Sequence, residues 1–200
     1  ITPWRVVYGE CRTGGAFTFL KTMSNNAYLC QVITVSGDEL TSIKELMFDD
    51  QTVPFTDDGG GAFTITGRYA SHAKLRFGPG VAGAYETAFN SELTTDTDSA
   101  WSATHKQEGR GKIYLRLYYH VDTYPQGVPN ATVVLQGKKV YDPRTATTAW
   151  HHNPALCLAD YLTNTYYGIG CTYATEIDED SLIAAANICD EMVDVVNESD

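Results

Sequence analysis

Short runs of β-branched and aromatic residues dominate the first part of the chain. The first three runs cover residues 4–8, 16–21 and 27–36, and they are separated by a glycine pair and by a Ser-Asn-Asn triplet. Glycine readily adopts positive φ and asparagine tolerates it, so this spacing predicts consecutive β-hairpins. The third run is nearly continuous in apolar residues, which is typical of a strand that is covered on both faces.

Strand patterns continue as far as residue 135. In order, they cover residues 45–48, 52–55, 62–69, 73–77, 112–121 and 130–135. The first two should form a hairpin around residues 49–51. The last two should be neighbours in one sheet, linked by the proline-containing turn at 125–129.

Residues 78–111 lack such a pattern. This segment is rich in glycine, threonine, serine and aspartate. The composition predicts a long loop insertion, which could include one helical turn near residues 85–93.

Two helices are predicted near the end of the chain. Asn153 can cap the first helix and Pro154 suits its first position, where a missing N–H costs nothing. Gly168 should end this helix, which is expected over residues 155–165. Asp178 should cap the second helix, whose apolar positions step by four and three residues. These positions are Leu182, Ala186, Cys189, Val193 and Val196.

The predicted fold class is α+β and β-dominated: antiparallel strands arranged as a barrel or sandwich, followed by two C-terminal helices. We expect residues 1–140 to form a β-rich domain with the loop insertion at 78–111. Residues 141–200 should form a helical joint that leads into a further domain. The chain starts at Ile1 and ends just after a helical pattern, so we expect it to be part of a longer polypeptide.

The segment 137–170 combines a strand end, a proline turn, a capped helix and a glycine stop. Aromatic residues flank each of these junctions, which predicts a rigid structural joint. Its expected members are Tyr141, Asp142, Pro143, Arg144, Trp150, Asn153, Pro154, Tyr161 and Gly168. If Trp150 is fully enclosed, its replacement by alanine should cost roughly 3–5 kcal/mol. Gly9, Gly14 and Gly15 are the expected turn elements of the β-rich part.

Composition places the chain among ordinary globular proteins, with 43% apolar and 20% charged residues. The formal net charge of −11 argues against binding to the phosphate backbone of nucleic acid, which requires a concentrated basic face. The acidity is better explained by the solubility of a large assembly. No apolar run is long enough to span a bilayer.

Metal sites are not indicated by the histidines, cysteines or acidic clusters. The five cysteines include no C-x-x-C pair, and Cys157 and Cys189 are expected to be core thiols in a reducing cytoplasm. His151 and His152 are adjacent, and no further ligand follows at a useful spacing. The acidic clusters fit turns better than calcium sites. They are Asp49-Asp50, Asp57-Asp58 and Asp96-Thr97-Asp98. We therefore expect no metal and no cofactor.

Catalytic signatures are also missing. The chain contains no Gly-x-Ser-x-Gly sequence and no phosphate-binding loop, so we expect no enzyme activity. An alternative is a glycan-binding or glycan-degrading β-domain of a phage or secreted protein. Trp4, Trp101 and Trp150, together with the tyrosines, could line a carbohydrate groove, but packing in cores and interfaces is the commoner role of such residues.

A series of short motifs runs in order along the chain. The series covers nearly the whole chain, least well at residues 56–100. Its pieces are Tyr8-Gly9-Glu10-Cys11-Arg12-Thr13-Gly14-Gly15, Tyr28-Leu29 with Val32-Ile33, Gly37-Asp38-Glu39-Leu40, Leu46-Met47-Phe48-Asp49-Asp50, Trp101 with His105, the strand 112–121, the block 137–144, Asn153-Pro154-Ala155-Leu156, Asp160-Tyr161-Leu162, Tyr167-Gly168, and Ala185-Ala186-Asn187 with Cys189-Asp190-Glu191.

In their order and content these motifs resemble the host-specificity protein J family, the tail-tip hub of long-tailed bacteriophages. This resemblance implies a virion structural protein in the phage tail tip. The longer chain would form a homotrimeric hub that closes the distal end of the tail tube and connects it to receptor-binding parts. DNA would pass through the lumen without specific binding, and the partners would be other tail-tip and tail-tube proteins. Assembly would take place in the bacterial host cytoplasm, with no membrane contact by this segment. The 200 residues alone are expected to be monomeric or weakly associating.

Overall fold

The computed structural model describes residues 5–191. Trp4 and the predicted stripe positions Val193 and Val196 lie outside this range. The chain divides into two compact units between Lys138 and Lys139, and they are called unit 1 and unit 2 below.

From residue 5 onward, unit 1 contains ten strands and one α-helix. The strands are β1 (Glu10–Thr13), β2 (Ala16–Met23), β3 (Tyr28–Thr34), β4 (Ser42–Phe48), β5 (Gln51–Val53), β6 (Phe55–Gly59), β7 (Ala62–Ile65), β8 (Ala73–Gly78), β9 (Lys112–Tyr118) and β10 (Ala131–Gln136), and the helix is α1 (Ala84–Asp96). Short 3₁₀ turns occupy Gly67–Tyr69 and Ala103–His105.

The strands of unit 1 form two antiparallel sheets. One has four strands in the order β1-β10-β4-β5, and the other has six in the order β2-β3-β9-β8-β7-β6. Buried side chains from both sheets, such as Val133, Leu46, Ile33 and Leu115, belong to one hydrophobic core. The two sheets therefore pack face to face in a sandwich-like arrangement, and the described strands form no closed barrel. The predicted β-dominated fold class is confirmed.

Strand β9 is buried on both faces. Ile113, Leu115 and Leu117 point into the core between the sheets. Tyr114 belongs to a second, smaller cluster on the opposite face, together with Phe89 and Leu93 of α1. Strand β3 behaves in the same way, which confirms that the apolar run around residues 28–34 is covered on both sides.

Two predicted hairpins are confirmed. Strands β2 and β3 are joined by Ser24, Asn25 and Asn26, all of which have positive φ. Strands β4 and β5 are joined by the pair Asp49-Asp50, which also has positive φ. Asparagine and aspartate tolerate this conformation better than other non-glycine residues, so local turn chemistry determines both hairpins.

Three strand predictions were wrong. Residues 5–8 form no regular strand, although Lys138 N–H donates to Val7 O, and Gly9 at φ 60° separates them from β1. The glycine pair at 14–15 does not turn a hairpin, because β1 pairs with β10 while β2 pairs with β3. Strand β10 is not a neighbour of β9, since the connection over residues 119–130 carries the chain to the other sheet.

The segment 78–111 is not a plain loop insertion. It contains the 13-residue helix α1 and the 3₁₀ turn at Ala103–His105. The helix packs on the six-stranded sheet with Phe89 and Leu93 buried. Its other inward positions include the carboxylates Glu86, Glu92 and Asp96 and the polar residues Asn90 and Thr94, and for this reason no helical apolar stripe appears in the sequence.

Unit 2 consists of a hairpin and helices. Strands β11 (Lys139–Asp142) and β12 (Thr147–Trp150) pair with each other. Helices α2 (Pro154–Thr163), α3 (Tyr173–Glu176) and α4 (Glu179–Cys189) follow. Helices α2 and α4 confirm the two predicted C-terminal helices. Asp178 precedes α4 but makes no side-chain capping bond.

Candidate functional site

The most connected polar group of unit 2 surrounds Arg144, in the turn of the β11–β12 hairpin. The Asp142 carboxylate is only 2% exposed, and it accepts hydrogen bonds from Arg144 Nε at 3.0 Å and from a terminal guanidinium nitrogen at 2.8 Å. These bonds hold the pKa of Asp142 below its usual range. The turn is thus fixed by a two-point arginine–carboxylate pair.

Asn153 joins helices α2 and α4. Its side-chain oxygen accepts bonds from the N–H groups of Ala155 and Leu156 at 3.0 and 3.3 Å, which caps α2. Its side-chain nitrogen donates to Ala186 O and to Asp190 Oδ1, both at 2.8 Å. All the hydrogen-bonding groups of this buried amide are therefore used, and Pro154 follows as the first residue of the helix.

Asp190 completes the group. Its other carboxylate oxygen accepts a bond from Arg144 Nη1 at 2.7 Å. We call Asp142, Arg144, Asn153 and Asp190 the Arg144 network; it ties the hairpin turn, the start of α2 and the end of α4 together. Asp190 was not among the predicted joint residues. A carboxylate at a helix C-terminus faces the negative end of the helix dipole, and this feature of the sequence signals the need for a cationic partner.

The remaining predicted joint residues lie around this network without belonging to it. Pro143 is a half-buried residue of the turn, and the exposed Tyr141 ring contacts Tyr173 edge-on at 5.7 Å. Trp150 is half-buried, with its ring 5.6 Å from that of His152.

Two further joint residues lie at the end of α2. Tyr161 is exposed, with its ring 6.4 Å from that of Tyr167. Helix α2 ends at Thr163, so Gly168 does not terminate it directly, contrary to the prediction. Gly168 instead passes so close to Tyr161 O that a side chain would collide with it.

The three predicted turn glycines of unit 1 have different roles. Gly9 has positive φ, whereas Gly14 and Gly15 do not. A Cβ at Gly15 would lie 2.5 Å from Thr34 O of the neighbouring strand, so Gly15 permits a close backbone approach. A Cβ at Gly14 would meet nothing closer than a methyl group of Thr132 at 4.0 Å.

This contrast gives a prediction with a control one residue away. Gly15→Ala should destabilise unit 1 by about 1–3 kcal/mol, because the backbone must shift to accept the methyl group. Gly14→Ala should leave stability nearly unchanged or raise it slightly, since alanine restricts the unfolded chain. Urea denaturation followed by circular dichroism measures both, and equal effects would contradict the assigned role of Gly15.

A charged interface holds α1 on the six-stranded sheet. Glu86 pairs with Lys112, and Glu92 pairs with both Lys74 and Arg76. Asp96 accepts bonds from three groups on the sheet. These are Arg116 at 2.7 Å, Lys74 at 2.9 Å and the Tyr114 hydroxyl at 3.0 Å. Asp96 therefore does not belong to a turn cluster, contrary to the sequence prediction.

Lys112 is the most enclosed cation of this interface. Its side chain is fully buried against Glu86, and its ammonium group lies 5.2 Å from the Phe89 ring centroid. Burial lowers the pKa of Lys112, and the hydrogen bond to Glu86 opposes that shift. The attraction between the two charges therefore offsets the cost of desolvating them, and either charge would be strongly unfavourable in this buried position without the other.

An open apolar groove lies beside β2, which is an edge strand of the six-stranded sheet. Phe17 and Leu20 are 58% and 57% exposed and lie opposite Ile33 and Gln31 of β3. They therefore occupy the face that elsewhere contacts the four-stranded sheet. The groove has a volume of about 550 Å³. Its lining, which we call the β2 groove, comprises Phe17, Leu20, Lys21, Thr22, Leu29, Gln31 and Val128.

Gln31 is the buried polar residue of the groove lining. It is almost fully buried, yet its side-chain oxygen has no hydrogen-bond partner. A buried acceptor without a donor costs about 1–3 kcal/mol. A molecule that filled the groove and offered a donor would remove this cost.

The remaining acidic and histidine candidates have local partners. Asp57 and Asp58 lie at the end of β6, next to the β6–β7 turn, where Asp57 accepts a bond from Gly59 N at 2.8 Å and Asp58 accepts one across the hairpin from Thr64 Oγ1 at 2.6 Å. His151 lies 3.9 Å from an Asp142 oxygen. Over residues 5–191, no group of three or more histidine, cysteine, aspartate or glutamate side chains could hold a metal ion.

Two cysteine predictions need correction. Cys189 is exposed and Cys157 is only half-buried, whereas the buried thiol is that of Cys30. Cys189 sits in the last turn of α4, on a side that the stripe pattern had placed inward. Burial raises the pKa of the Cys30 thiol.

Comparisons with known proteins do not assign the chain to a family. No family model matches the chain, and no curated protein matches it. Among solved structures, a chain from the "Virion of native gene transfer agent (GTA) particle" is similar over 68% of this chain, with 14% identity and a TM-score of 0.42. The matched part spans 27% of that chain. A TM-score this low does not establish a shared fold, so the match carries no argument about function.

Within residues 5–191, none of the helices has the length and apolar character required to cross a bilayer.

Proposed function

We propose that this chain is a structural component of a phage virion, in the tail-tip hub that closes the distal end of the tail tube. Its role would be to form part of the assembled tail tip, and it would catalyse no reaction. The ordered motif series that resembles the host-specificity protein J family supports this assignment. The structural observation that carries it is the β2 groove, an apolar surface at a free sheet edge.

The β2 groove has the properties of a subunit contact. Exposed apolar side chains cluster there, and Val128 adds a third one at 61% exposure beside Phe17 and Leu20. Monomeric proteins generally keep such patches small and protect the edges of their sheets. Contact with another subunit would bury these side chains and could supply the hydrogen-bond donor that Gln31 lacks.

We propose a second copy of the chain as the occupant of the groove. A hub built around one axis repeats a single contact between neighbouring copies, and such head-to-tail contacts close into a ring when the rotation matches. Charge supports this choice: Lys21 is the cation that lines the groove, and a chain with 25 acidic and 14 basic residues presents mainly carboxylates to its neighbour.

The wider context follows from the same proposal. The longer chain would be a homotrimer, in contact with other tail-tip and tail-tube proteins in the virion and assembled in the host cytoplasm. The exposed acidic residues Asp49, Asp50, Asp57, Asp58 and Asp98 would face solvent or lumen, whereas Asp96 is held against the six-stranded sheet. With a net charge of −11, a lumen wall would repel DNA phosphates and let DNA pass without specific binding.

Electron cryomicroscopy of the particle that contains the chain tests the assignment. The expected result is three copies, or a multiple of three, around one axis at the distal end of the tail. A single copy on the side of the tail, or a position in the capsid shell, would overturn the proposal. Robust hydrolysis of peptidoglycan, peptide or polysaccharide, abolished by one carboxylate substitution, would overturn the absence of catalysis and favour the glycan-degrading alternative.

The groove is tested separately by charge substitution in the longer chain. Phe17→Asp and Leu20→Asp should each prevent trimer formation, as measured by sedimentation velocity, because a carboxylate would have to be desolvated in an apolar contact. Val81→Asp, at an exposed apolar position elsewhere in unit 1, is the matched control and should leave assembly intact. Normal trimers of both groove variants would place the subunit contact elsewhere.

A further inference from the structure

We propose that α1 is an independently opening element, which uncovers the face of the six-stranded sheet beneath it while the rest of unit 1 stays folded. This inference concerns the mechanics of unit 1 and does not depend on the proposed role in a virion.

The charge pattern of α1 is inverted relative to an ordinary surface helix. All three of its ionised side chains, Glu86, Glu92 and Asp96, pair with cations of the sheet. The exposed positions are uncharged and comprise Ala84, Tyr85, Thr87, Ser91 and Thr95. A surface helix normally places its apolar stripe inward and its charges outward, so α1 is docked to a large extent by ion pairs.

Ion-paired docking favours reversible opening. Burying a charge pair costs desolvation energy that roughly offsets the attraction between the partners. When α1 leaves the sheet, water solvates both sets of charges. Opening therefore requires less free energy than separating an apolar interface of similar size.

The closed state also contains incompletely bonded polar atoms. Glu86 Oε2 and Arg76 Nε are both buried without a hydrogen-bond partner. Each such atom reduces the advantage of the closed state. Opening would allow water to reach both atoms.

The apolar contacts of α1 form a separate cluster. Phe89, Leu93 and Trp101 pack against Cys30 and Val32 on the outer face of the sheet. None of these residues belongs to the core between the two sheets. Since locally opening elements are those with few ties to the main core, α1 can leave its position without disrupting the sandwich.

The chain reverses at both ends of α1. Gly80 and Gly83 precede the helix with positive φ, and Asp98 and Ser99 follow it with positive φ. Such positions, outside regular structure, can absorb the backbone rotation that the movement of a rigid helix requires.

Cys30 provides a direct measurement of opening. Its thiol is fully buried beneath α1, where it receives a bond from the Tyr114 hydroxyl at 3.3 Å. In a chain with the other four cysteines replaced by serine, the rate of reaction with a thiol reagent such as 5,5′-dithiobis(2-nitrobenzoate) reports the exposure of this site. The urea dependence of the rate separates local opening from global unfolding, because the slope scales with the surface exposed.

Three results are expected. At low urea concentration the labelling rate should be nearly independent of urea, and hydrogen exchange in the unsubstituted chain should be faster for the α1 amides than for those of β9. Glu92→Gln and Asp96→Asn should each accelerate labelling at least tenfold, with little change in the slope. Glu45→Gln, an exposed carboxylate on β4, is the control and should change nothing.

The proposal is overturned by either of two outcomes. One is a labelling rate that rises from the lowest urea concentration with the slope of global unfolding, together with equal protection of α1 and β9. The other is unchanged labelling in both charge variants. Hydrogen exchange uses the native sequence, so it decides the question even if a variant does not fold.

Discussion

Trp101→Ala should lower the free energy of unfolding of unit 1 by about 3–5 kcal/mol, which is the usual cost of removing a large enclosed ring. Trp101 is only 1% exposed and contacts the Phe19 ring edge-on at 5.3 Å. Its indole N–H also donates to Asn90 Oδ1 at 2.9 Å, so the substitution leaves a part-buried acceptor unbonded. Urea denaturation followed by far-ultraviolet circular dichroism measures the loss.

Trp150→Ala is the natural comparison. The sequence predicted a cost of 3–5 kcal/mol on the condition that Trp150 is enclosed, but the ring is only half-buried. A cost of about 1–2 kcal/mol is therefore expected, in proportion to the smaller apolar area removed from water. If Trp150→Ala proved as damaging as Trp101→Ala, the burial assigned to the two rings would be wrong.

The difference between the two tryptophans shows what local sequence can predict. Trp150 lies in a segment with clear capping and turn signals, and these signals predict a structural role for it. Trp101 lies in a segment that lacks apolar periodicity. Its importance follows from α1, whose inward positions include carboxylates that match cations of β8 and β9. Because these ion pairs join distant segments, they produce no apolar periodicity in the sequence of the helix.

Elements defined by neighbouring residues were predicted well. The β2–β3 turn follows from Asn25 and Asn26, which tolerate positive φ, and the start of α2 follows from Asn153 and Pro154. Long-range pairing was not predictable in this way. Strand β10 pairs with β1 and β4. This pairing depends on how the side chains of the two sheets pack in the shared core, and no turn sequence determines it.

In the Arg144 network, too, the contacts between residues close in sequence were predictable and the long-range contact was not. Asp142, Arg144 and Asn153 lie close together in sequence and were grouped by their turn and capping chemistry. Asp190 is far away in the chain and meets them only because α4 packs beside α2. The β2 groove had no sequence signal, since Phe17 and Leu20 come onto one face through a β-bulge between Phe17 and Phe19.

Arg144→Ala should destabilise unit 2 by about 2–4 kcal/mol. The substitution leaves the Asp142 carboxylate buried without its cation, and uncompensated buried charge is the costly result of breaking such a pair. The backbone N–H of residue 144 should still donate to Asp142, as it does in the wild-type chain at 2.9 Å, so the loss of stability should be smaller than for a buried carboxylate that keeps no donor. Lys139→Ala, at an exposed position of the same hairpin, is the control.

Dependence on pH separates the charge effect from packing. The folded-state pKa of Asp142 lies below its unfolded value, so the pair stabilises unit 2 fully above the unfolded value of about 4. This stabilisation disappears as the pH falls through the lower, folded-state pKa. The gap in unfolding free energy between the wild-type chain and Arg144→Ala should therefore be largest near neutral pH and should close as the pH falls to and below the unfolded-state pKa of Asp142.

A second substitution tests the same cause at neutral pH. Adding Asp142→Asn to Arg144→Ala should recover part of the lost stability, because a neutral amide costs less to bury than a carboxylate. Arg144→Lys should fall between the wild-type chain and Arg144→Ala, since lysine keeps the charge but cannot form the two-point contact. If Asp142→Asn instead lowered the stability of Arg144→Ala further, the unpaired charge would not be the source of the loss, and the packing of the arginine stem would be the better explanation.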